Sequence, residues 1–179
     1  MKTILLCALI TTSAPEPLLI DFGTNGNRTD WFVLNDGVMG GRSGGQAEYT
    51  ENSLVFKGTV SLENNGGFAS IRSPFTTYNL APYKSVEIKY KLTGMTFALT
   101  MANSRRWYNP NYKANLKDTQ GKWETITLPL LAFKQYQVGK PTGYTITQET
   151  LSKVIRLGFI SNEKRAGEFT LEIDYINFL

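Results

Sequence analysis

Residues 86–92 alternate without exception: Val86, Ile88, Tyr90 and Leu92 are apolar, and Glu87, Lys89 and Lys91 between them are charged. A period of two is what a strand with one dry face and one wet face requires, because successive side chains leave a strand on opposite sides. Phe97, Leu99 and Met101 repeat the spacing, as do Ile155, Leu157 and Phe159, and then Phe169, Leu171, Ile173 and Tyr175. Shorter candidates run from Leu18 to Phe22, Trp31 to Leu34, Ser53 to Gly58, Gly67 to Ser73 and Trp123 to Leu128, each bounded by Gly, Pro, Asn or Asp. Pro129 has no N–H to give a ladder, so the last of these stops there or lies at a sheet edge. Helical signal is confined to Thr147 to Lys153, with Thr147 as N-cap and Glu149 in the first turn. About ten short strands and at most one or two short helices predict an all-β chain, an antiparallel jelly-roll β-sandwich.

The chain has 179 residues and shows no repeat, low-complexity tract or linker, which favours a single domain over residues 15–179. Residues 1–14 read separately. Met1 and Lys2 give a positive start, Ile4 to Ile10 an apolar run too short to span a bilayer, and Thr12-Ser13-Ala14 a small-residue cleavage pattern, as in a secretory signal peptide. The expected location is therefore periplasmic or extracellular if the leader is cleaved, and cytoplasmic otherwise. Cys7, the one cysteine, lies in this leader, and the chain has no histidine. Together these absences remove Ser-His-Asp and Cys-His catalysis, disulfides and histidine- or cysteine-held zinc. With 19 basic and 15 acidic residues the net charge is +4, a mild excess spread along the chain. Arg105-Arg106, the densest basic step, is too short to imply nucleic acid.

Two glycine-rich stretches organise the first half. Trp31 to Ser43 includes Asn35-Asp36-Gly37-Val38-Met39-Gly40-Gly41, and Phe56 to Arg72 includes Gly66-Gly67-Phe68-Ala69-Ser70. Paired glycines allow one segment to lie close against another. None opens a helix before Lys-Ser or Lys-Thr, so these are turns and bulges rather than a phosphate cradle. Asp36 with Glu63 offers a carboxylate pair for glycoside hydrolysis, but an Asp before Gly more often caps its own turn. Asn103 to Tyr112 is the best composition for a recognition surface: Trp107, Tyr108 and Tyr112 offer ring faces, and Arg105, Arg106 and Asn109 offer hydrogen bonds. The same Trp107 and Tyr108 would equally suit the start of a strand packed on the sheet. Asp21, Asn25, Asp30 and Asp174 are oxygen ligands without calcium-loop spacing, so no metal and no cofactor is expected.

Trp31, Asn35, Asp36, Gly37, Met39, Gly40, Gly41 and Ser43, then Phe56-Lys57-Gly58, Gly66, Gly67, Phe68 and Arg72, resemble the complex I intermediate-associated protein 30 family. Trp123, Leu128-Pro129, Phe133, Leu157-Gly158-Phe159 and Gly167 to Asp174 are similar to its later segments. The resemblance implies a galactose-binding-like sandwich and a role in binding rather than catalysis. It implies a protein partner, such as a membrane-complex subunit, for an assembly factor or chaperone-like protein; a glycan is the alternative partner, for an exported carbohydrate-binding module. No catalytic residue is implied. The motif positions are expected to maintain the loops, with Asp36 and Arg72 as a candidate buried ion pair.

Overall fold

The computed structural model describes residues 15–23 and 30–179; the leader, Cys7 and Asn25 fall outside the described residues, as do the side chains of Val38 and Met39. In chain order the strands are β1 (Leu18–Asp21), β2 (Phe32–Val33), β3 (Gly44–Tyr49), β4 (Leu54–Val60), β5 (Ser70–Arg72), β6 (Ser85–Thr93), β7 (Phe97–Ala102), β8 (Asn111–Leu116), β9 (Glu124–Pro129), β10 (Lys134–Gln137), β11 (Lys140–Thr145), β12 (Arg156–Ser161) and β13 (Gly167–Phe178). The helix α1 (Gln148–Leu151) begins at Thr147, whose side chain accepts a hydrogen bond from the Thr150 N–H at 3.2 Å.

Every pairing between these strands is antiparallel. One sheet runs β3-β4-β13-β6-β9 with β1 beside the end of β13, and the other runs β11-β10-β8-β7-β12-β5-β2. The chain is thus an antiparallel jelly-roll sandwich, and β9, which ends on Pro129, is an edge strand as expected. The inward rows meet between the sheets. Phe56 and Phe169 from one sheet pack on Phe97 from the other, with ring centroids 6.0 and 5.0 Å from it. Trp31 stacks on Phe159 at 5.7 Å and meets Phe22 edge-on at 5.4 Å, tying the chain before β2 into the same core.

The last strand departs from the expected alternation. Its register shifts between Ile173 and Tyr175, so Tyr175 turns outward to donate to Glu87, while Ile176 and Phe178 are buried in its place. At that bulge β13 exchanges one neighbour for another: β4 pairs with Gly167 to Ile173, and β1 with Tyr175 to Phe178. Strands β3, β8, β10 and β11 were not legible as apolar alternation. Three of them lie at or next to sheet edges, where both faces are largely wet, and β8 begins inside the stretch read as a loop, which its first two residues, Asn111 and Tyr112, overlap.

The two glycine-rich stretches close on one buried carboxylate. Asp36 is 1% exposed, and its oxygens accept from Ser43 N–H (2.9 Å), Ser43 Oγ (2.6 Å), Gly67 N–H (2.6 Å) and Phe68 N–H (3.2 Å). A Cβ on Gly66 would stand 2.5 Å from Asp36 Oδ2, and one on Gly41 would collide with the same carboxyl, so glycine is required where backbone packs on the charge. Outside it, Asn64 donates to the Gly40 carbonyl at 3.1 Å and Arg42 pairs with Glu63 at 2.8 Å. Asp36 therefore joins two loops rather than capping its own turn. It makes no ion pair with Arg72, whose side chain lies on the outer face of the seven-stranded sheet.

Burial by itself would raise the Asp36 pKa; the bonds from the Ser43 side chain and the Gly67, Ser43 and Phe68 amides outweigh it and hold the group below the usual carboxylate range. A depressed folded-state pKa adds stability that is complete above the unfolded value and lost as pH falls through the folded one. Asp36→Asn sets an NH2 group against these donors and is expected to cost roughly 2–4 kcal/mol in urea denaturation at neutral pH. It should also remove part of the loss of stability on acidification below about pH 4.

Candidate binding face

On the seven-stranded sheet the buried alternation decides which side chains face out. With Leu157 and Phe159 inside, Arg156, Gly158 and Ile160 face outward; with Leu99 and Met101 inside, so do Thr100 and Ala102; with Tyr112 inside, so do Asn111 and Lys113. Arg72 and Ser70 join them from β5, beside Leu34 and Phe68. These groups line an open cavity of about 690 Å³, with Ser104 to Trp107 at one rim and the Val138-Gly139 turn at another. That volume suits a small ligand or a short stretch of polymer. Gly158 keeps the floor low, since a Cβ there would stand 2.9 Å from the Ile71 carbonyl and 3.0 Å from Thr100 Oγ1.

The loop leading into β8 supplies the cavity's most exposed ring. Trp107 is 70% exposed and meets Tyr108 edge-on at 5.9 Å, so neither packs on the sheet as a strand residue would. Ser104 Oγ takes hydrogen bonds from the Asn109 side chain (2.9 Å) and the Arg106 N–H (3.2 Å), which folds the loop on itself. Arg105, Arg106, Trp107 and Asn109 line the cavity, and Tyr108 does not. Tyr112 is corrected: it lies in β8, 5% exposed, with its hydroxyl accepting from Gln135 at 3.0 Å, and takes no part in the surface. Of the motif residues, Phe68 and Arg72 reach the cavity, whereas Asn35, Asp36, Gly37, Gly40, Gly41, Ser43, Gly66 and Gly67 do not line it. Lys113 and Arg156 were not singled out from the sequence; the inward residues beside Arg156 were the signal that could have found it.

The cations of this face are crowded. The Arg156 guanidinium lies 3.2 Å from the centroid of the Phe75 ring and 5.1 Å from that of Phe32, and Arg105 lies 4.4 Å from Phe75. Lys113 Nζ sits 4.6 Å from the Tyr136 ring. Burial, and then the charges of Arg72 and Arg105, push the Arg156 pKa down to about 10. Burial, followed by Arg72, lowers that of Lys113, and burial lowers that of Arg72.

A more open groove borders the other sheet, with Asp21, Glu51, Glu172 and Asp174 along it. Its carboxylates are engaged: Lys89 bonds Asp174 at 2.7 Å, Lys91 and Ser53 bond Glu172 at 2.6 and 2.7 Å, and Asp21 accepts from the Gly23 N–H at 2.7 Å. Asp21 and Asp174 do meet here, but Asp30 is not in its walls. Among the described residues no group of three or more His, Cys, Asp or Glu is arranged to hold a metal. Nor is any described helix long and apolar enough to cross a membrane.

The family model for complex I intermediate-associated protein 30 matches residues 20–173. The chain belongs to this family. No curated protein matches the sequence. Among solved structures, the family 11 carbohydrate-binding module of the cellulosomal cellulase Lic26A-Cel5E of Clostridium thermocellum superposes with a TM-score of 0.67 at 15% identity, over 93% of this chain and 96% of that one. The Clostridium thermocellum module in complex with a β-1,3-1,4-mixed-linked tetrasaccharide gives 0.63 at 15% identity, over 93% and 97%. The agarase AgWH50C gives 0.57 at 10% identity, over 90% of this chain but 24% of that one. At these identities the likeness is one of fold.

A cation kept for structure would be missed if removed, because its partner would be left charged and buried. Among the described residues Lys113 has no such partner. Lys113→Met keeps an unbranched apolar stem and relieves repulsion from Arg72, and thermal unfolding should show stability within about 1 kcal/mol of the parent or above it.

Proposed function

We propose that the chain is a non-catalytic glycan-binding module whose site is the outer face of its seven-stranded sheet. The observation that carries this is the cavity itself: an exposed indole at the rim above a floor with an aliphatic side chain, a hydroxyl and an amide in Ile160, Thr100 and Asn111. Sugar rings present apolar faces and a fringe of hydroxyls, so they need an aromatic platform flanked by short polar groups. Asn111 Oδ1 is buried without a donor, which a sugar hydroxyl would supply. The carbohydrate-binding modules of the same fold support the reading, as does the engagement of Asp36 and Glu63 in holding loops together.

A second reading is favoured by family membership: an assembly-related protein partner on the same face. The two separate in a direct assay. Isothermal titration with neutral and acidic oligosaccharides should show binding that Trp107→Ala weakens by about tenfold or more, with an unchanged melting temperature. Absence of saccharide binding, with a defined protein recovered by the purified chain, would favour the second reading.

A further inference from the structure

We infer that the sugar this face takes carries an oxyanion, a uronate carboxylate or a sulfate ester, and is not a neutral glucan. This rests on the glycan reading above and adds the chemical class of the ligand. The charges of the molecule are sorted by sheet. The seven strands that carry the cavity hold Arg72, Lys113, Lys134, Lys140 and Arg156, and contain no Asp or Glu. The strands of the other sheet hold seven carboxylates, Asp21, Glu48, Glu87, Glu124, Glu168, Glu172 and Asp174, and three lysines. Each of those lysines is ion-paired, Lys57 with Glu48, Lys89 with Asp174 and Lys91 with Glu172.

Arg72, Arg105, Lys113 and Arg156 converge on the one cavity, no carboxylate lines it, and none of the four makes an ion pair among the described residues. Like charges drawn together repel, the more so where three of them, Arg72, Lys113 and Arg156, are half-buried, and a fold gains nothing by it unless an anion completes the set. Arg156 is the most telling. Its guanidinium lies against Phe75 and Phe32, while its Nε is buried with no acceptor. A ring against the guanidinium supplies no oxygen acceptor for its N–H donors, and an oxyanion is the acceptor that matches an arginine fork. A neutral hydroxyl would bond one donor and leave the excess charge where it is. The lowered pKa values of Arg72, Lys113 and Arg156 agree with this geometry, reporting cations short of both water and counter-charge.

The test is titration calorimetry of the full chain with four probes: a galacturonan oligosaccharide, a sulfated galactan oligosaccharide, a neutral agarose oligosaccharide and the mixed-linkage β-1,3-1,4-glucan tetrasaccharide. At least one acidic probe should bind about tenfold or more tightly than both neutral ones, and weaken as salt rises from about 50 to 300 mM. Whether galacturonan or sulfated galactan prevails identifies the oxyanion. Arg156→Gln and, should that variant unfold, Lys113→Gln should reduce acidic binding about tenfold. Lys57→Gln on the opposite sheet should leave it unchanged. Equal or tighter binding of a neutral probe overturns the inference and leaves the glycan reading standing; no binding of any probe overturns both. Equal losses from Arg156→Gln and Lys57→Gln would reduce the effect to net charge and also overturn the inference.

Discussion

A carboxylate placed almost wholly out of water is the constraint from which the site follows. Left alone, Asp36 would be expelled or protonated; instead two backbone amides from one loop and an amide and a hydroxyl from another surround it. The price is geometric, since backbone must approach the charge more closely than any side chain allows, and Gly41 and Gly66 provide that approach. The clamp sets where the chain enters β5. Phe68 donates to Asp36 through its amide while its residue lines the cavity, and Ser70 and Arg72 follow two and four positions on. With Ile71 in the core, Ser70 and Arg72 lie on the cavity side of the strand, Ser70 itself covered. Motif residues that make no contact with a ligand thus determine which side chains can.

The second organising fact is the partition of charge between the two sheets. On the six-stranded side, each of the three lysines is neutralised by a carboxylate in a partly exposed pair that water and salt screen. Among the described residues the seven-stranded side has no such neutralisation and holds cations against Phe75, Tyr136 and Phe32. Contacts between cation and ring recover about 0.5–2 kcal/mol each. They leave the charge uncompensated. Surfaces that are suboptimal for the folded state and organised around one chemistry are what binding sites look like, because stability is given up for a ligand.

Much of the fold was legible in the sequence, and the part that was not has a common cause. Strands with one dry face, such as β6 and β7, announce themselves by period, and Thr147 announced α1 by its capping oxygen. Strands β10 and β11 form a hairpin at the sheet edge with few buried side chains, so no apolar row marks them. Tyr112 looked like a ring on a surface loop because sequence alone does not say where a loop ends, and it faces the core because β8 begins at Asn111. The Asp36 clamp was visible as two glycine-rich stretches that answer each other, but its partner was read as Arg72; amides carry no letter in a sequence, so their pull on a carboxylate goes unseen. The net charge looked dilute for a similar reason. Arg72 and Arg156 lie far from Arg105 and Lys113 along the chain, and the pairing of β12 with β5 and β7, and of β7 with β8, brings them to one cavity.

The most direct trial of the claim that this face is the recognition surface is an amide and side-chain NMR map of the labelled chain during titration with an acidic oligosaccharide. The account predicts shifts confined to Arg72, Thr100, the Trp107 indole, Asn111, Lys113 and the Arg156 Nε–H. Shifts centred instead on Lys89, Lys91 and Trp123 of the other sheet, or on the loops around Asp36, would contradict it.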